Sequence, residues 1–410
     1  MFVLDKLYDF ALFALLSVIT AHSATEEGTN YIYYGIFFIY IALAAFRAFM
    51  RGYLNFKHFK IPVHTLWYGV FIILCLMSAL WAKYPESVFH MMSRLTQNLI
   101  LAYFMIINVE TREDFRRVQN IFILSSVYLG LRILVSVPTS EIFSSFLGSE
   151  DITGHNVNSV AFYYAITLIL LIDRFYSERQ LRSLIPFAFI GFMLLLTSSR
   201  KAVLMVILAV FLTIFLDRGK KHKFLKLFGA ALIIAVIIYI VFTNDNLYHA
   251  IGRRFDSMLS FLENTKVDKS LSERRFFRKY ALELFYRNAF VGVGLNNFSN
   301  YLGNVFTRST YAHNNWLEIL SCLGIVGFVT YYWFYAYLVL KFRRQLKCAV
   351  KYVSPFLTMI ICIFFSEYAM VVYSDTFIQM SIALCFIGVS VADSELKSKL
   401  INGMGGNQLG

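Results

Sequence analysis

The chain has 410 residues, 58% of them hydrophobic and only 15% charged, with a mean hydropathy of +0.61. A water-soluble domain carries roughly 25% charged residues, so soluble enzymes, secreted disulfide scaffolds and disordered binders are excluded, and a bilayer is the solvent that this composition fits. The net charge of +13 leaves nucleic acid, acidic lipid or an anionic substrate open as partners, and the positions of the basic residues must decide among them.

In chain order, windows of about 19 residues place apolar segments at 7–23, 31–50, 61–82, 88–109, 118–137, 157–173, 184–199, 201–216, 224–243, 314–340, 354–373 and 375–393. Unbroken runs such as 227–242 are helical in pattern, whereas a transmembrane barrel would alternate over ~10-residue segments. The expected fold is therefore all-α: a polytopic membrane protein of about twelve transmembrane helices, with residues 1–410 forming a single transmembrane domain. Lys6 and Ala21-His22-Ser23 would also suit a signal peptide, but the many later spans favour a retained first helix. Cys75, Cys322, Cys348, Cys362 and Cys385 contain no C-x-x-C pair and read as packing residues rather than a disulfide or zinc framework.

With the N-terminus cytoplasmic, the inside segments hold most of the Lys and Arg. Once 244–313 is set aside, only Lys83, Arg200 and Lys201 fall between helices on the other side. Long loops report orientation poorly, so both termini are expected in the cytoplasm and 244–313 on the far face. Within that long segment, Phe276, Phe277, Tyr280, Ala281, Leu284 and Phe285 recur at helical spacing, which predicts an amphipathic helix over 272–287 lying along the membrane surface. Gly292-Val293-Gly294 should end it as a turn.

The anomaly is basic charge on the outer side. Arg94 and Arg132 lie within apolar segments, Arg200 ends one, and Arg274, Arg275, Arg278 and Lys279 crowd the long segment. Intramembrane arginine is costly and marks a functional site or a buried pair; the nearest carboxylates by topology are Glu367 and Asp375. A single Arg, or Lys83 at its helix end, is equally able to snorkel to the interface. Taken together, the guanidinium groups suit the oxygens of a phosphate or diphosphate. Tyr311-Ala312-His313-Asn314-Asn315 brings one imidazole, the natural general base near neutral pH, to the same face. The alternative is that His313 and Asn314 simply cap the following helix. His155 in Gly154-His155-Asn156-Val157-Asn158 is a second outer histidine with the same two readings. No zincin, P-loop or nucleophile-elbow motif appears, and neither a catalytic metal nor another cofactor is expected.

These residues resemble a known family. Leu196-Thr197-Ser198-Ser199-Arg200, Ser272-Glu273-Arg274, the passage from Asn288 to Phe298, and Ala312-His313-Asn314-Asn315-Trp316-Leu317-Glu318 with Gly324-Ile325-Val326-Gly327 look like the superfamily of O-antigen ligases and Wzy-type O-antigen polymerases, over a core region of 185–340. The resemblance implies a metal-independent glycosyltransferase of the GT-C type in the bacterial inner membrane, with its active site periplasmic and an undecaprenyl-diphosphate-linked glycan as donor. It implies Arg200, Arg274 and His313 as the catalytic residues. Alignment leaves Arg275 open beside Arg274, and the aromatic residue usual four positions on is Arg278 here. Arg94, Arg132, Lys83, Arg275 and Asn314 complete the expected substrate-binding set.

The favoured expectation is polymerisation of lipid-linked repeat units into O-antigen or a related surface polysaccharide. The alternatives are ligation of the glycan to lipid A core and transport of a lipid-linked saccharide. Expected partners are the lipid-linked donor, a glycan or lipid A core acceptor, membrane lipids, and the chain-length regulator and flippase of the same pathway, with no nucleic acid. A His313→Ala protein should lose a limb of its pH profile near the histidine pKa.

Overall fold

The computed structural model describes every residue except 1, 23–26, 53–60, 138–154, 179, 198, 217–222, 244–268, 307, 349–352 and 407–410. Among the described residues there are helices and turns and no strand. The first helices are α1 (Phe2–Ala21), α2 (Glu27–Met50), α3 (Val63–Met77), α4 (Pro85–Ile107) and α5 (Arg112–Ser136). Next come α6 (Val157–Glu178), α7 (Leu184–Leu196), α8 (Arg200–Leu216) and α9 (Lys223–Thr243). The chain closes with α10 (Lys269–Arg287), α11 (Phe298–Gly303), α12 (Asn315–Lys347), α13 (Ser354–Ser366) and α14 (Thr376–Gly406).

Each apolar segment expected from the sequence falls on one of these helices. Among the described residues, five stretches are long and apolar enough to cross a membrane, namely Tyr31–Met50, Val63–Leu80, Arg112–Ser136, Asn315–Lys347 and Thr376–Ser398. Val157–Ile172, Leu181–Leu196 and Ser354–Ser366 are apolar but shorter. Charge separates some of the remaining helices from this group: α1 opens with Asp5, Lys6 and Asp9, and α4 carries Glu86 and Arg94. One boundary differs clearly from expectation. The segment read as 354–373 stops being helical at Ser366, and 367–375 forms a turn.

The centre of the bundle follows from which helices are apolar all round, since such a helix has no face to offer water and must be enclosed. In α6, residues 160–172 are buried on every side, and in α14 the same holds for 377–389. Around them α1 packs on α2 and α5, α3 on α4 and α12, and α8 on α6 and α13. Aromatic rings fill the α3–α12 contact, with Trp67 stacked on Phe334 at 4.3 Å.

The two ends of the bundle handle charge differently. At one end, Arg47 is 1% exposed and donates to Asp5 (2.6 Å), to the Asn108 carbonyl (2.6 Å) and to Asp114 (3.4 Å). Arg51 bridges Asp5 and Asp114, and Arg117 joins Asp114 and lies 3.9 Å from Asp9. These pairs tie α1, α2 and α5 together, with the Asn108 carbonyl after α4 as a fourth anchor. A capping box between Thr111 and Asp114 starts α5. At the opposite end, Arg274, Arg278 and Lys201 form no ion pair among the described residues.

That end is built on a backbone exchange. Helix α12 breaks at Gly324, whose φ of 64° and ψ of −164° suit only glycine. The turn after α10 pairs with four backbone groups at the break. Ile325 and Val326 donate to the carbonyls of Ala289 and Phe290 (2.8 and 3.2 Å), while Val293 and Gly294 donate to those of Ser321 and Cys322 (3.0 and 2.8 Å). These four bonds pair backbone groups at the break within the protein, as an apolar surrounding favours. Asn297 then clamps the α3–α4 turn, accepting from the Tyr84 N–H (2.9 Å) and donating to its carbonyl (3.0 Å). The amphipathic helix expected over 272–287 is α10, with Phe277, Ala281 and Leu284 buried. The earlier part of the long segment, 244–268, lies outside the described residues.

Candidate functional site

Three elements converge at the opposite end of the bundle. The first is the tight turn between α7 and α8. Thr197 bonds back to the Leu194 carbonyl (2.6 Å), Ser199 donates to Asn158 of α6 (3.2 Å), and Arg200 and Lys201 open the next helix. The second is α10, where Arg274 and Arg278 are half-buried one turn apart while Arg275 is exposed. The third is the start of α12. Asn314 is buried and caps that helix by accepting from the Leu317 N–H (3.0 Å), while the Ala312 N–H donates to Glu318 (2.6 Å). His313 sits between them with φ of 53°, a left-handed backbone that is uncommon for a non-glycine residue.

The turn at 367–375 holds the three elements together. The Asn315 N–H reaches the Glu367 and Met370 carbonyls (2.8 and 3.0 Å), and its side-chain oxygen accepts from Val372 and Tyr373 (2.9 and 3.1 Å). Lys201 Nζ donates to the Ala369 carbonyl (2.7 Å). The Arg278 guanidinium donates to the Tyr368 hydroxyl (3.1 Å) and lies 4.5 Å from the centre of that ring.

His313 lies in the middle of this arrangement, stacked near Phe277 on one side and Tyr311 on the other (ring centres 6.0 and 4.2 Å). Burial first, and then the charges of Arg274, Lys201, Arg308 and Arg278, push its imidazole down to about 3. The histidine is therefore neutral at physiological pH and unprotonated, as a base must be. It is a weak base until something offsets the surrounding positive charge. Titration of His313 in the free protein is therefore expected below the ordinary histidine range. Among the described residues, the one ion pair in this group is Arg308 with Glu273 (3.1 Å).

The other expected residues fall elsewhere. Lys83 is exposed and lies over the rings of Tyr84 and Tyr301 (5.4 and 5.9 Å). Arg132, on α5, is half-buried with one guanidinium nitrogen that has no hydrogen-bond partner. Arg94 is exposed and close enough to influence Asp375, Tyr163 and His155. It belongs to a second polar group in which Tyr163 donates to Asp375 (2.9 Å), Asn98 donates to the Ser374 carbonyl (3.1 Å), and the His155 ring meets Tyr163 edge-on (6.0 Å). Asn156, rather than His155, caps α6, accepting from the Asn158 N–H (3.0 Å). The carboxylates expected near the arginines are otherwise engaged. Glu367 is held by Tyr332, Tyr335 and Asn315, and Asp375 caps α14 through the Ile378 N–H. Lys201, Arg278, Tyr311 and Tyr368 were not in the expected site. Lys201 follows Arg200 in the same turn and Arg278 follows Arg274 by one turn, so periodicity carried a signal for both. Nothing in the sequence pointed to Tyr368.

Comparison with known families matches residues 185–332 to the family described as O-antigen ligase. Over that stretch the chain is similar to the O-antigen ligase family. No curated protein matches the chain. The O-antigen ligase region runs from α7 into α12 and contains Arg200, Lys201, Arg274, Arg278, Arg308 and His313, together with the break at Gly324. Tyr368 and the Arg94 group lie outside it. The cation cluster is thus largely the property of the family region, completed by the turn that follows α13. Chemically it offers several fixed positive groups around one neutral imidazole, an arrangement suited to an oxyanion-rich ligand with a hydroxyl beside it.

Proposed function

We propose that the protein is an integral-membrane glycosyltransferase that transfers a glycan from an undecaprenyl-diphosphate carrier to lipid A core. On this reading the cation cluster faces the periplasm, both termini lie in the cytoplasm, and the helices form a twelve-span bundle of the GT-C type in the bacterial inner membrane. The observation that carries the reading is the contrast between the two ends of the bundle. Arg47, Arg51 and Arg117 are neutralised by Asp5, Asp9 and Asp114. Arg274, Arg278 and Lys201 have no carboxylate within ion-pair distance among the described residues. A transporter would need similar binding groups along both halves of its path, whereas among the described residues Arg274, Arg278 and Lys201 gather at one end without an ion pair.

In the proposed step, an acceptor hydroxyl attacks the anomeric carbon of the donor. The bond from that carbon to the phosphate oxygen breaks, and its electron pair leaves with the diphosphate. Arg200 and Arg274, assisted by Lys201 and Arg278, stabilise the charge that gathers on the leaving group, a role that preorganised donors perform without a metal. His313 takes the proton from the hydroxyl. The diphosphate also solves the problem of the weak base, since its negative charge offsets the cations that hold His313 down and restores its basicity when the donor is present.

The choice of ligation over polymerisation follows from what the sequence passages do. Residues 293–297 and 314–318 serve the backbone exchange, the Asn297 clamp and the Asn315 anchor. They are architectural and do not bear on the acceptor, so the family match supplies the preference. The test is to give purified protein a synthetic lipid-linked donor with and without lipid A core. Transfer that requires lipid A core supports the ligase, a ladder of longer lipid-linked products without it indicates a polymerase, and no product in either case returns the transporter.

A further inference from the structure

Two tyrosine rings stand open beside the cation cluster. Tyr311 is 40% exposed and Tyr368 is 51% exposed. Each has a functional side chain near its ring: the His313 imidazole lies 4.2 Å from the Tyr311 ring centre, and the Arg278 guanidinium lies 4.5 Å from that of Tyr368. Neither ring is on a loose segment. Tyr311 precedes Ala312, whose N–H is bound by Glu318, and Tyr368 precedes Ala369, whose carbonyl is bound by Lys201. Trp316 supports Tyr368 from the side, with ring centres 5.9 Å apart, and its buried indole N–H has no acceptor. Tyrosines are common at membrane interfaces, where the ring rests among lipid and the hydroxyl meets headgroups. That role gives no reason to place one ring on a base and another on a phosphate-binding cation.

We infer that Tyr311 and Tyr368 are the saccharide-stacking walls of the site, Tyr311 for the acceptor sugar and Tyr368 for the donor sugar attached to the diphosphate. A pyranose has an apolar C–H face and a polar rim, and its complement is an aromatic face with hydrogen-bonding groups at the edge. The sides follow from the chemistry of the neighbours. A base must lie within hydrogen-bond reach of the hydroxyl it deprotonates, so the ring on His313 borders the acceptor. Arg278 belongs to the diphosphate-binding set, so the ring beneath it borders the sugar which that diphosphate carries. The inference rests on the proposed transfer reaction for its naming of donor and acceptor.

The experiment measures binding to the purified full chain in detergent, using two probes. One is the free core oligosaccharide released from lipid A; the other is the donor glycan on a short-chain polyprenyl diphosphate, compared with the same diphosphate without sugar. Tyr311→Leu should weaken the core oligosaccharide about tenfold, and Tyr368→Leu should weaken the glycosyl diphosphate about tenfold without affecting the sugarless one. Tyr311→Phe and Tyr368→Phe keep the ring and should stay within about twofold of wild type, which separates stacking from any effect of misfolding. The inference is overturned if the Leu variants bind as wild type does, if Tyr368→Leu weakens both diphosphates equally, or if the wild type binds neither saccharide. Sugar-dependent binding without any transfer would overturn the proposed reaction and leave the stacking intact.

Discussion

Replacing Gly324 with alanine should disable the end of the bundle that carries the cations. A Cβ at this position would sit 2.2 Å from the Phe290 carbonyl oxygen and 2.6 Å from the Val291 nitrogen, both backbone atoms that no side-chain rotation can move. The residue would also be forced to hold φ at 64°, at a cost of about 1–3 kcal/mol for a non-glycine residue. Relieving the overlap means separating the α12 break from the turn after α10, and losing two of the four crossing hydrogen bonds adds about 2 kcal/mol. The total is about 3–5 kcal/mol, concentrated where His313 and Arg274 are aligned. Thermal unfolding of the detergent-solubilised protein should show it as a fall of roughly 5 °C or more, with donor turnover lost at temperatures the wild type tolerates. Gly35→Ala is the internal control, since nothing lies within 4 Å of its Cβ and a helix interior gains up to about 1 kcal/mol from the change. A Gly324→Ala protein that melts with the wild type would refute the backbone exchange.

Three further outcomes follow from the same geometry. Arg274→Gln should lower turnover about 10²- to 10³-fold, the usual cost of one preorganised donor to a developing oxyanion, measured as initial rates at saturating donor; a change under threefold would remove Arg274 from the leaving-group role. The proton-accepting form of His313 is lost as pH falls through its pKa, so the low value of about 3 keeps kcat/KM flat to well below pH 6. Removing a nearby cation by Arg278→Gln raises that pKa and should move the acid limb to higher pH, whereas an unmoved or lowered limb would contradict the electrostatic account. At the far end, Asp114→Ala strips a buried Arg47 of one carboxylate and should cost about 3–5 kcal/mol, read by thermal unfolding, while diphosphate binding measured below the melting point stays near wild type.

Much of this architecture was legible in the sequence, because the features concerned are local. Apolar runs declare helices, and the periodic Phe277, Ala281 and Leu284 declare the buried stripe of α10. Arg200, Arg274 and His313 stood out because basic and imidazole groups on the outer side have few structural reasons to be there. The features that were hidden depend on partners distant in the chain. The turn at 367–375 reads as a continued span because Met370, Val371, Val372 and Tyr373 are apolar, whereas its backbone is anchored by Asn315, Lys201 and Asn98 from distant parts of the chain. Arg94 and Arg274 look equivalent in sequence, yet the charge of one acts on Tyr163 and Asp375 and that of the other on His313. The choice between Arg274 and Arg275 is one of helix phase: Arg274 is half-buried and its charge acts on His313, while Arg275 is exposed.

The central claim is that the cluster around His313 binds a lipid-linked diphosphate. It is tested most directly by titrating purified protein with undecaprenyl diphosphate and comparing Arg274→Gln with Arg275→Gln, two adjacent residues of equal charge. The account predicts that Arg274→Gln weakens binding at least about tenfold and that Arg275→Gln leaves it nearly unchanged. Equal losses in both variants, or a larger loss in Arg275→Gln, would contradict it.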